Sequence, residues 1–487
     1  MLRPFRVGAG SRRARLMAIV ALALVNVLIL GAGAALAGML PARLAQWKIP
    51  RVAGGRVVQP GALLAGAGSG AGGPSTAGLA ARLSGLLATP VLGSHVSAVV
   101  ADLSTGKVLY SRDGGSPAAP ASTTKLATAV AALTTLGPAA RFRTRVVQDG
   151  ASRIVLVGGG DPTLAAGRPP AGGYPQPATL RALAAATARS LRARHRHSVS
   201  LGYDTSLYRG PGLAPGWTES YVTTGNVTDI TALEVDQGRL LPDGRPQDAD
   251  VPGNLRPRSQ TPAADAARAF ARFLIADGIR VAGPGRPATA GHAATQLAAV
   301  ASPPLTAIVA QMLTESNNVI AENLARQVAL ATGRPATFSG AAAAVTSVAR
   351  RLGAGAGVHL VDGSGLSPYD RIPAVALVRL LGLAASSRHP GLRAIITGLP
   401  VAGFSGTLSA GKSVFGDLAA GARGIVRAKT GNLNTVLALA GLADDHSGTV
   451  LAFAFMADRV PSAAGDLERA AGTIGKLAEA LAGCGCR

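Results

Sequence analysis

Three short polar motifs, widely separated along 487 residues, constrain the fold of this chain more than any other feature. Ser122 and Lys125 form S-x-x-K at the start of a predicted Ala-rich helix. Ser316 and Asn318 form S-x-N between two helical patterns, and Lys429-Thr430-Gly431 ends a predicted strand. Each motif is weak alone, but a K-T-G triplet is rare by chance in a chain with 6 Lys and 42 Arg. If the motifs act together, the fold must bring a helix start, an interhelical loop and a strand end to one place.

Ser122 and Lys125 carry the clearest chemistry. At spacing i, i+3 on a helix they share one face and can touch. A serine hydroxyl is a weak nucleophile that needs a base, and lysine can be that base only if burial or a neighbouring cation lowers its pKa. The first turn of a helix also favours a developing negative charge. The pair therefore indicates nucleophilic catalysis, although chance occurrence is a strong alternative for this motif alone.

The other two motifs suit substrate binding. Ser316 and Asn318 place a hydroxyl and a carboxamide where both can point into a cleft between two helices. The competing interpretation is structural, since Asn317 or its neighbour can be a helix N-cap. Lys429-Thr430-Gly431 combines a cation, a hydroxyl and a close backbone approach, a set that can bind a substrate carboxylate.

Composition excludes several classes of protein. Hydrophobic residues make up 48% of the chain, enough for a packed core, so the chain is not wholly disordered. The only cysteines, Cys484 and Cys486, exclude a disulfide-rich scaffold, and we expect them to lie in a mobile C-terminal tail. A net charge of +23 invites nucleic-acid binding, but scattered arginines and 3% aromatic residues argue against it.

Neither a metal nor a cofactor is predicted. The one close histidine pair, His195 and His197, lies in an Arg-rich stretch with no further ligand pattern. No histidine falls in a candidate motif, so an ordinary Ser-His-Asp hydrolase is not supported.

The N-terminus predicts export. Residues 1–15 carry five arginines and no acidic residue, and an apolar run follows at 16–40. This arrangement is typical of a segment whose N-terminus stays in the cytosol. Because the run reaches transmembrane length, we favour an uncleaved single-pass anchor in the cell membrane with the catalytic part outside. A signal peptide cleaved near Ala37, which would release a secreted protein, is the alternative.

The amino-acid composition and the secondary-structure pattern change at several points along the remaining chain. Residues 41–75 are rich in Gly and Ala and predict a flexible linker. Residues 76–145 and 292–483 combine strand and helix patterns, which predicts one α+β domain with an antiparallel sheet flanked by helices. Residues 146–291 are rich in Gly, Pro and Arg with short strand-like runs, and are predicted to form an inserted β-rich region with its own core.

With its motifs in this order, the sequence resembles the low-molecular-mass class C penicillin-binding proteins, a family of D-alanyl-D-alanine carboxypeptidases and endopeptidases. The resemblance covers about residues 80–480. Further matching strings are PASTTKLATA at 120–129, GGGDPTL at 158–164, YDTSLY at 203–208, APGW at 214–217 and DGSGLS at 362–367.

The resemblance implies a fold and a function. The fold would be the penicillin-binding, serine β-lactamase-like transpeptidase fold, with a region inserted between Ser122 and Ser316. The function would be serine-peptidase hydrolysis of peptidoglycan stem peptides and cross-links through an acyl-enzyme. Such a protein would also bind β-lactam antibiotics and would need no cofactor.

The resemblance also assigns catalytic roles. Ser122 would attack the D-Ala-D-Ala carbonyl, and Lys125 would be the general base. Ser316 would pass a proton to the leaving amine with the help of Lys429. We also expect the positive charge of Lys429 to push the proton off Lys125.

The binding roles include one departure from the family. Asn318 would hydrogen-bond a substrate amide and Thr430 would bind the terminal carboxylate, while the N–H groups of Ser122 and Asn432 would form the oxyanion hole. The family usually has Thr or Ser after K-T-G, where this chain has Asn432. A hydroxyl for the carboxylate is therefore missing, which favours endopeptidase action or weaker carboxypeptidase action.

Two other functions stay open. A β-lactamase or esterase could use the same serine–lysine pair, although the long interval between Ser122 and Ser316 argues against it. Rapid release of a bound β-lactam would favour that alternative. A catalytically silent wall-binding module is the second, and three intact motifs argue against it.

Overall fold

Two five-stranded sheets and the helices packed on them account for most of the described chain. The computed structural model describes residues 73–167, 175–240 and 256–486, except 412, 417 and 419. The predicted basic segment 1–15, the apolar run 16–40 and nearly all of the predicted linker 41–75 lie outside the described residues. Within the described ranges, no helix is both long enough and apolar enough to cross a membrane.

The strands are numbered in chain order. They are β1 (Val96–Asp102), β2 (Val108–Arg112), β3 (Pro117–Ala118), β4 (Arg143–Gln148), β5 (Arg153–Val157), β6 (Ser198–Asp204), β7 (Arg280–Pro287), β8 (Thr295–Ala301), β9 (Ile372–Pro373), β10 (Val426–Leu433), β11 (Val436–Asp444) and β12 (Val450–Ala457).

The helices are numbered in the same way. They are α1 (Thr76–Leu87), α2 (Thr124–Leu136), α3 (Leu180–Arg192), α4 (Ser220–Thr223), α5 (Pro262–Ala276), α6 (Leu305–Glu315), α7 (Asn318–Ala331), α8 (Phe338–Arg351), α9 (Ala374–Ala385), α10 (Arg393–Gly398) and α11 (Asp466–Ala482).

The first sheet is antiparallel, in the order β10-β11-β12-β1-β2. Its central strands are almost continuously apolar because both of their faces are buried. Leu439 and Phe453 face a core shared with α1 and α11. Ala440 and Ala454 face the other core, which α2 and α6 to α9 complete. The predicted α+β arrangement of an antiparallel sheet flanked by helices is confirmed.

The second sheet is mixed, in the order β7-β6-β5-β4-β8. β5, β6 and β7 are parallel, whereas β4 pairs antiparallel with both β5 and β8. α3 and α5 contribute Leu183 and Phe270 to the core against this sheet. These helices supply the crossover connections that the parallel strands need. The sheet begins at Arg143 and ends at Ala301, slightly outside the predicted limits of 146 and 291.

The C-terminal cysteines are not in a mobile tail, so that prediction was wrong. Cys484 is fully buried in the core that contains α1 and α11, and it forms a disulfide with Cys486. Ser75 N donates a hydrogen bond to Cys486 O at 2.6 Å. Apolar burial and this backbone bond fix the segment after α11 against the start of α1.

Candidate active site

Ser122 lies in a 3₁₀ turn, Ala121–Thr123, immediately before α2. The turn is held by Thr123, whose Oγ1 donates to Pro120 O at 2.7 Å. Ala121 has φ +45, in the left-handed region that a non-glycine residue rarely adopts. Backbone strain of this kind persists only where the surroundings enforce it, and it is concentrated at functional sites. Ser122 itself is half-buried, so its hydroxyl can meet a ligand.

Lys125 is fully buried and makes three short polar contacts. Its Nζ lies 2.8 Å from Ser122 Oγ, 2.6 Å from Asn318 Oδ1 and 2.8 Å from Ser364 O. The amide oxygen and the carbonyl can only accept hydrogen bonds, whereas a serine hydroxyl can donate. A neutral amine has two N–H groups for the two acceptors and one lone pair for the hydroxyl. The contacts therefore match a lysine poised to take the proton of Ser122.

Burial lowers the pKa of Lys125 to about 7, while the charges of Asp362, Glu322 and Asp370 oppose this shift. Burial is one of the two causes that the sequence offered, and the charge of Lys429, the other, is not among the causes of this shift. The low dielectric of the site disfavours the ammonium form without a second cation. A base with a pKa near neutrality is suited to general-base catalysis.

The loop between α8 and α9 forms the wall behind Lys125. Asp362 accepts hydrogen bonds from three backbone N–H groups of this loop and, at 2.8 Å, from Trp217 Nε1. Both oxygens of Glu322 accept from Gly363 N, at 3.0 and 3.1 Å. These bonds fix the carbonyl of Ser364 that faces Lys125. Burial raises the pKa of Glu322 to about 8, with the charge of Asp362 adding to the shift.

Gly365 brings this loop against the nucleophile. Its φ is +83, and a Cβ built there would lie 1.8 Å from Ala121 O. We expect Gly365→Ala to lower the free energy of unfolding by at least about 1–3 kcal/mol, from backbone strain alone, and to slow acylation of Ser122. Chemical denaturation and labelling by a fluorescent penicillin would measure the two effects.

Gly382 offers a matched control for this prediction. It lies within α9, and a Cβ there would meet no heavy atom within 4 Å. Gly382→Ala should be neutral or stabilising by up to about 1 kcal/mol, the difference in helix propensity. Equal stability of the two variants would refute the proposed contact between Gly365 and Ala121.

The three consecutive residues Ser316, Asn317 and Asn318 have different structural roles. Ser316 ends α6 in a left-handed conformation with φ +57. Asn317 is the N-cap of α7, accepting from Ile320 N at 3.1 Å, so the capping role belongs to it rather than to Asn318. Asn318 donates through Nδ2 to Asn226 O at 2.9 Å, which turns its Oδ1 toward Lys125.

Lys429 joins the second and third motifs. Its Nζ donates to Ser316 Oγ and to Thr430 O, both at 2.9 Å. Burial lowers the pKa of Lys429 well below its usual value, and the nearby charge of Lys125 adds to the effect. Gly431 allows β10 to approach the nucleophile, because a Cβ there would lie 2.7 Å from Pro120 O.

The backbone N–H of Asn432 points away from β11. Ala428 N donates to Pro400 O, on the outer side of this edge strand. Because alternate residues of a strand point their N–H groups to the same side, the N–H of Asn432 has the same direction. This N–H group therefore takes no part in the hydrogen bonds between β10 and β11, as is required of a donor to an oxyanion. The side chain of Asn432 is exposed.

A hydrogen-bonded Ser–His–Asp chain also occurs, and no sequence motif indicates it. His95 lies 2.6 Å from Asp458 Oδ1 and 3.1 Å from Ser116 Oγ. Asp458 Oδ2 accepts from Ala119 N at 2.9 Å. The backbone N–H of Ser116 donates to Asp113 O, so this N–H group is not available to stabilise an oxyanion at Ser116. We interpret this chain as a structural link between the end of β12 and the segment before the nucleophile.

Comparison with known proteins identifies related chains. The sequence matches the D-Ala-D-Ala carboxypeptidase 3 (S13) family over residues 79–252 and 244–476. It is 40% identical over 422 residues to a carboxypeptidase of Mycobacterium tuberculosis, covering 85% of each chain. It is 28% identical over 526 residues to the D-alanyl-D-alanine carboxypeptidase of an Actinomadura species, covering 93% of this chain and 89% of the relative.

The fold is also found among solved structures. Penicillin-binding protein 4 of Haemophilus influenzae superposes with a TM-score of 0.64 at 22% identity, covering 81% of this chain and 98% of that one. A β-lactam complex of the same protein superposes with a TM-score of 0.58. The predicted penicillin-binding fold is therefore confirmed.

Proposed function

This chain belongs to the D-Ala-D-Ala carboxypeptidase 3 (S13) family and is a serine D-Ala-D-Ala carboxypeptidase that acts on peptidoglycan; we propose that Ser122 is its nucleophile and Lys125 its general base. The observation that carries this assignment is the environment of the Lys125 amine. Two obligate acceptors and one hydroxyl surround it, so a neutral amine directs its lone pair at Ser122.

The acylation step follows from this arrangement. Lys125 takes the proton of Ser122 as Oγ forms a bond to the carbonyl carbon of the penultimate D-Ala. The N–H groups of Ser122 and Asn432 stabilise the resulting oxyanion. When the tetrahedral intermediate collapses, the C–N bond breaks, and Ser316 passes a proton to the leaving amine. Lys429, in contact with Ser316, restores that proton to it.

Water completes the cycle. It attacks the ester carbonyl of Ser122 and gives one proton, through Ser316, to the Lys429 amine, which lost a proton during acylation. The ester C–O bond then breaks, the carboxylic acid product leaves, and Lys125 returns its proton to Ser122 Oγ. Asn318 has a different role. Its side chain is held in place by contacts with Lys125 and with Asn226 O, and we assign it to binding the acyl part of the substrate.

β-Lactam binding follows from the same chemistry. A penicillin presents a strained amide carbonyl to Ser122 and a carboxylate to the group formed by Lys429 and Thr430. Opening of the ring leaves an ester on Ser122 in the same way as peptide acylation. The β-lactam complex of the Haemophilus protein, which shares this fold, is consistent with the proposal.

A direct assay of the full chain tests this function. Stem pentapeptides ending in D-Ala-D-Ala should release D-Ala, and prior treatment with penicillin should block the release. Peptides ending in D-Ala-L-Ala serve as the matched control and should remain intact. Cross-linked stem-peptide dimers would report the endopeptidase share. Rapid hydrolysis of penicillin without release of D-Ala would contradict the proposal and favour a β-lactamase.

A further inference from the structure

A second hydroxyl lies beside Thr430, although the residue after K-T-G is Asn432. Thr407 Oγ1 is 2.8 Å from Thr430 Oγ1. Thr407 belongs to a short 3₁₀ turn, Gly406–Leu408, that lies outside the three motifs. Thr407 is half-buried.

This turn is built into the site rather than loosely placed beside it. Gly406 has φ +57, and a Cβ there would lie 2.2 Å from Thr314 O, near the end of α6. Ser413 Oγ donates to Thr407 O at 2.6 Å. Leu408, the next residue, is fully buried. The position of Thr407 is therefore fixed relative to the helix that ends at Ser316.

The two hydroxyls together retain a free proton. Thr407 and Thr430 carry one hydroxyl proton each, and the bond between them uses one. The other can be donated to a ligand. Lys429 Nζ lies 3.5 Å from Thr430 Oγ1 and adds an N–H donor to this group. A carboxylate accepts hydrogen bonds and donates none, so it matches a group whose two hydroxyls and amine offer O–H and N–H donors.

We propose that Thr407 is a specificity-determining residue whose hydroxyl, together with that of Thr430, binds the free carboxylate of the leaving D-amino acid. This inference rests on the proposed function and names the substrate group that the site recognises. It also supplies the hydroxyl that is missing at Asn432. Preference for a free C-terminal carboxylate is then retained despite the asparagine.

Two matched peptides test the inference. One is a stem pentapeptide ending in D-Ala-D-Ala with a free carboxylate, and the other is the same peptide with a C-terminal carboxamide. Loss of a hydrogen bond to a charged group should lower kcat/KM of Thr407→Val for the acid by about 10- to 100-fold. For the amide, kcat/KM should fall by only about 2- to 10-fold, because the carboxamide oxygen accepts a neutral hydrogen bond rather than a charge-assisted one.

Two further variants separate recognition from folding. Thr407→Ser keeps the hydroxyl and should restore the preference for the acid. Thr397→Val makes the same exchange at an exposed position of α10 and should behave as wild type. An unchanged acid-to-amide ratio in Thr407→Val, or an equal loss with both peptides, would overturn the inference. Failure of the wild type to release D-Ala or its amide would overturn the proposed function instead.

Discussion

Replacing Ser122 with alanine is expected to abolish both D-Ala release and penicillin acylation. The change removes the atom that forms the covalent bond, and no other group in the site can replace it. Loss of a nucleophile that works as a unit with its base costs about 10⁴-fold or more in rate. Assays of D-Ala release and of fluorescent penicillin labelling would measure the loss.

The fold should survive this substitution. Lys125 keeps its contacts with Asn318 and Ser364 when the hydroxyl of Ser122 is removed. The thermal unfolding midpoint should therefore stay close to that of the wild type. Ser84→Ala, at an exposed position of α1, is the matched control and should retain full activity. A Ser122→Ala variant that still forms a stable penicillin adduct would contradict the assignment of the nucleophile.

Lys125→Arg should be the second most damaging change. Removing a general base typically costs about 10²–10⁴ in rate. Arginine cannot restore the function because its guanidinium stays protonated at any working pH. The acylation rate constant with penicillin would show the loss. Lys107→Arg, in the exposed turn between β1 and β2, is the matched control and should have no effect.

The pH dependence of acylation tests the same residue. Burial lowers the pKa of Lys125 to about 7, so the amine is protonated below that pH and cannot accept the proton of Ser122. The wild-type rate should rise with pH through about 7 as the neutral form appears. The residual rate of Lys125→Arg should lack this step. An arginine variant with a near-wild-type rate and the same pH profile would show that the proton leaves Ser122 by another route.

The parts of the site that the sequence predicts are those carried by local patterns. Residues at i and i+3 near a helix start are neighbours, so the spacing predicts that Ser122 and Lys125 can touch, and the structure shows this contact. β11 and β12 are continuous apolar runs, which predicts buried strands. The contact between Lys429 and Ser316 is a tertiary one, and only the resemblance to a family indicated it.

The parts that the sequence did not predict depend on the backbone or on distant loops. The carbonyls of Ser364 and Asn226, which orient Lys125 and Asn318, carry no side-chain signal. No sequence pattern distinguishes Thr407 from the other threonines, and only the fold places it beside Thr430. Burial, which depends on the whole core, lowers the pKa of Lys125, and the sequence could offer it only as one of two causes.

The most direct test of the catalytic assignment is the location of the covalent bond. The full-length wild-type protein would be treated with penicillin and digested, and the modified peptide would be identified by mass spectrometry. We predict one adduct per chain, on the peptide that contains Ser122, and its rate of formation should rise with pH through about 7. An adduct on another serine, such as Ser116 in the Ser–His–Asp chain, would contradict the account.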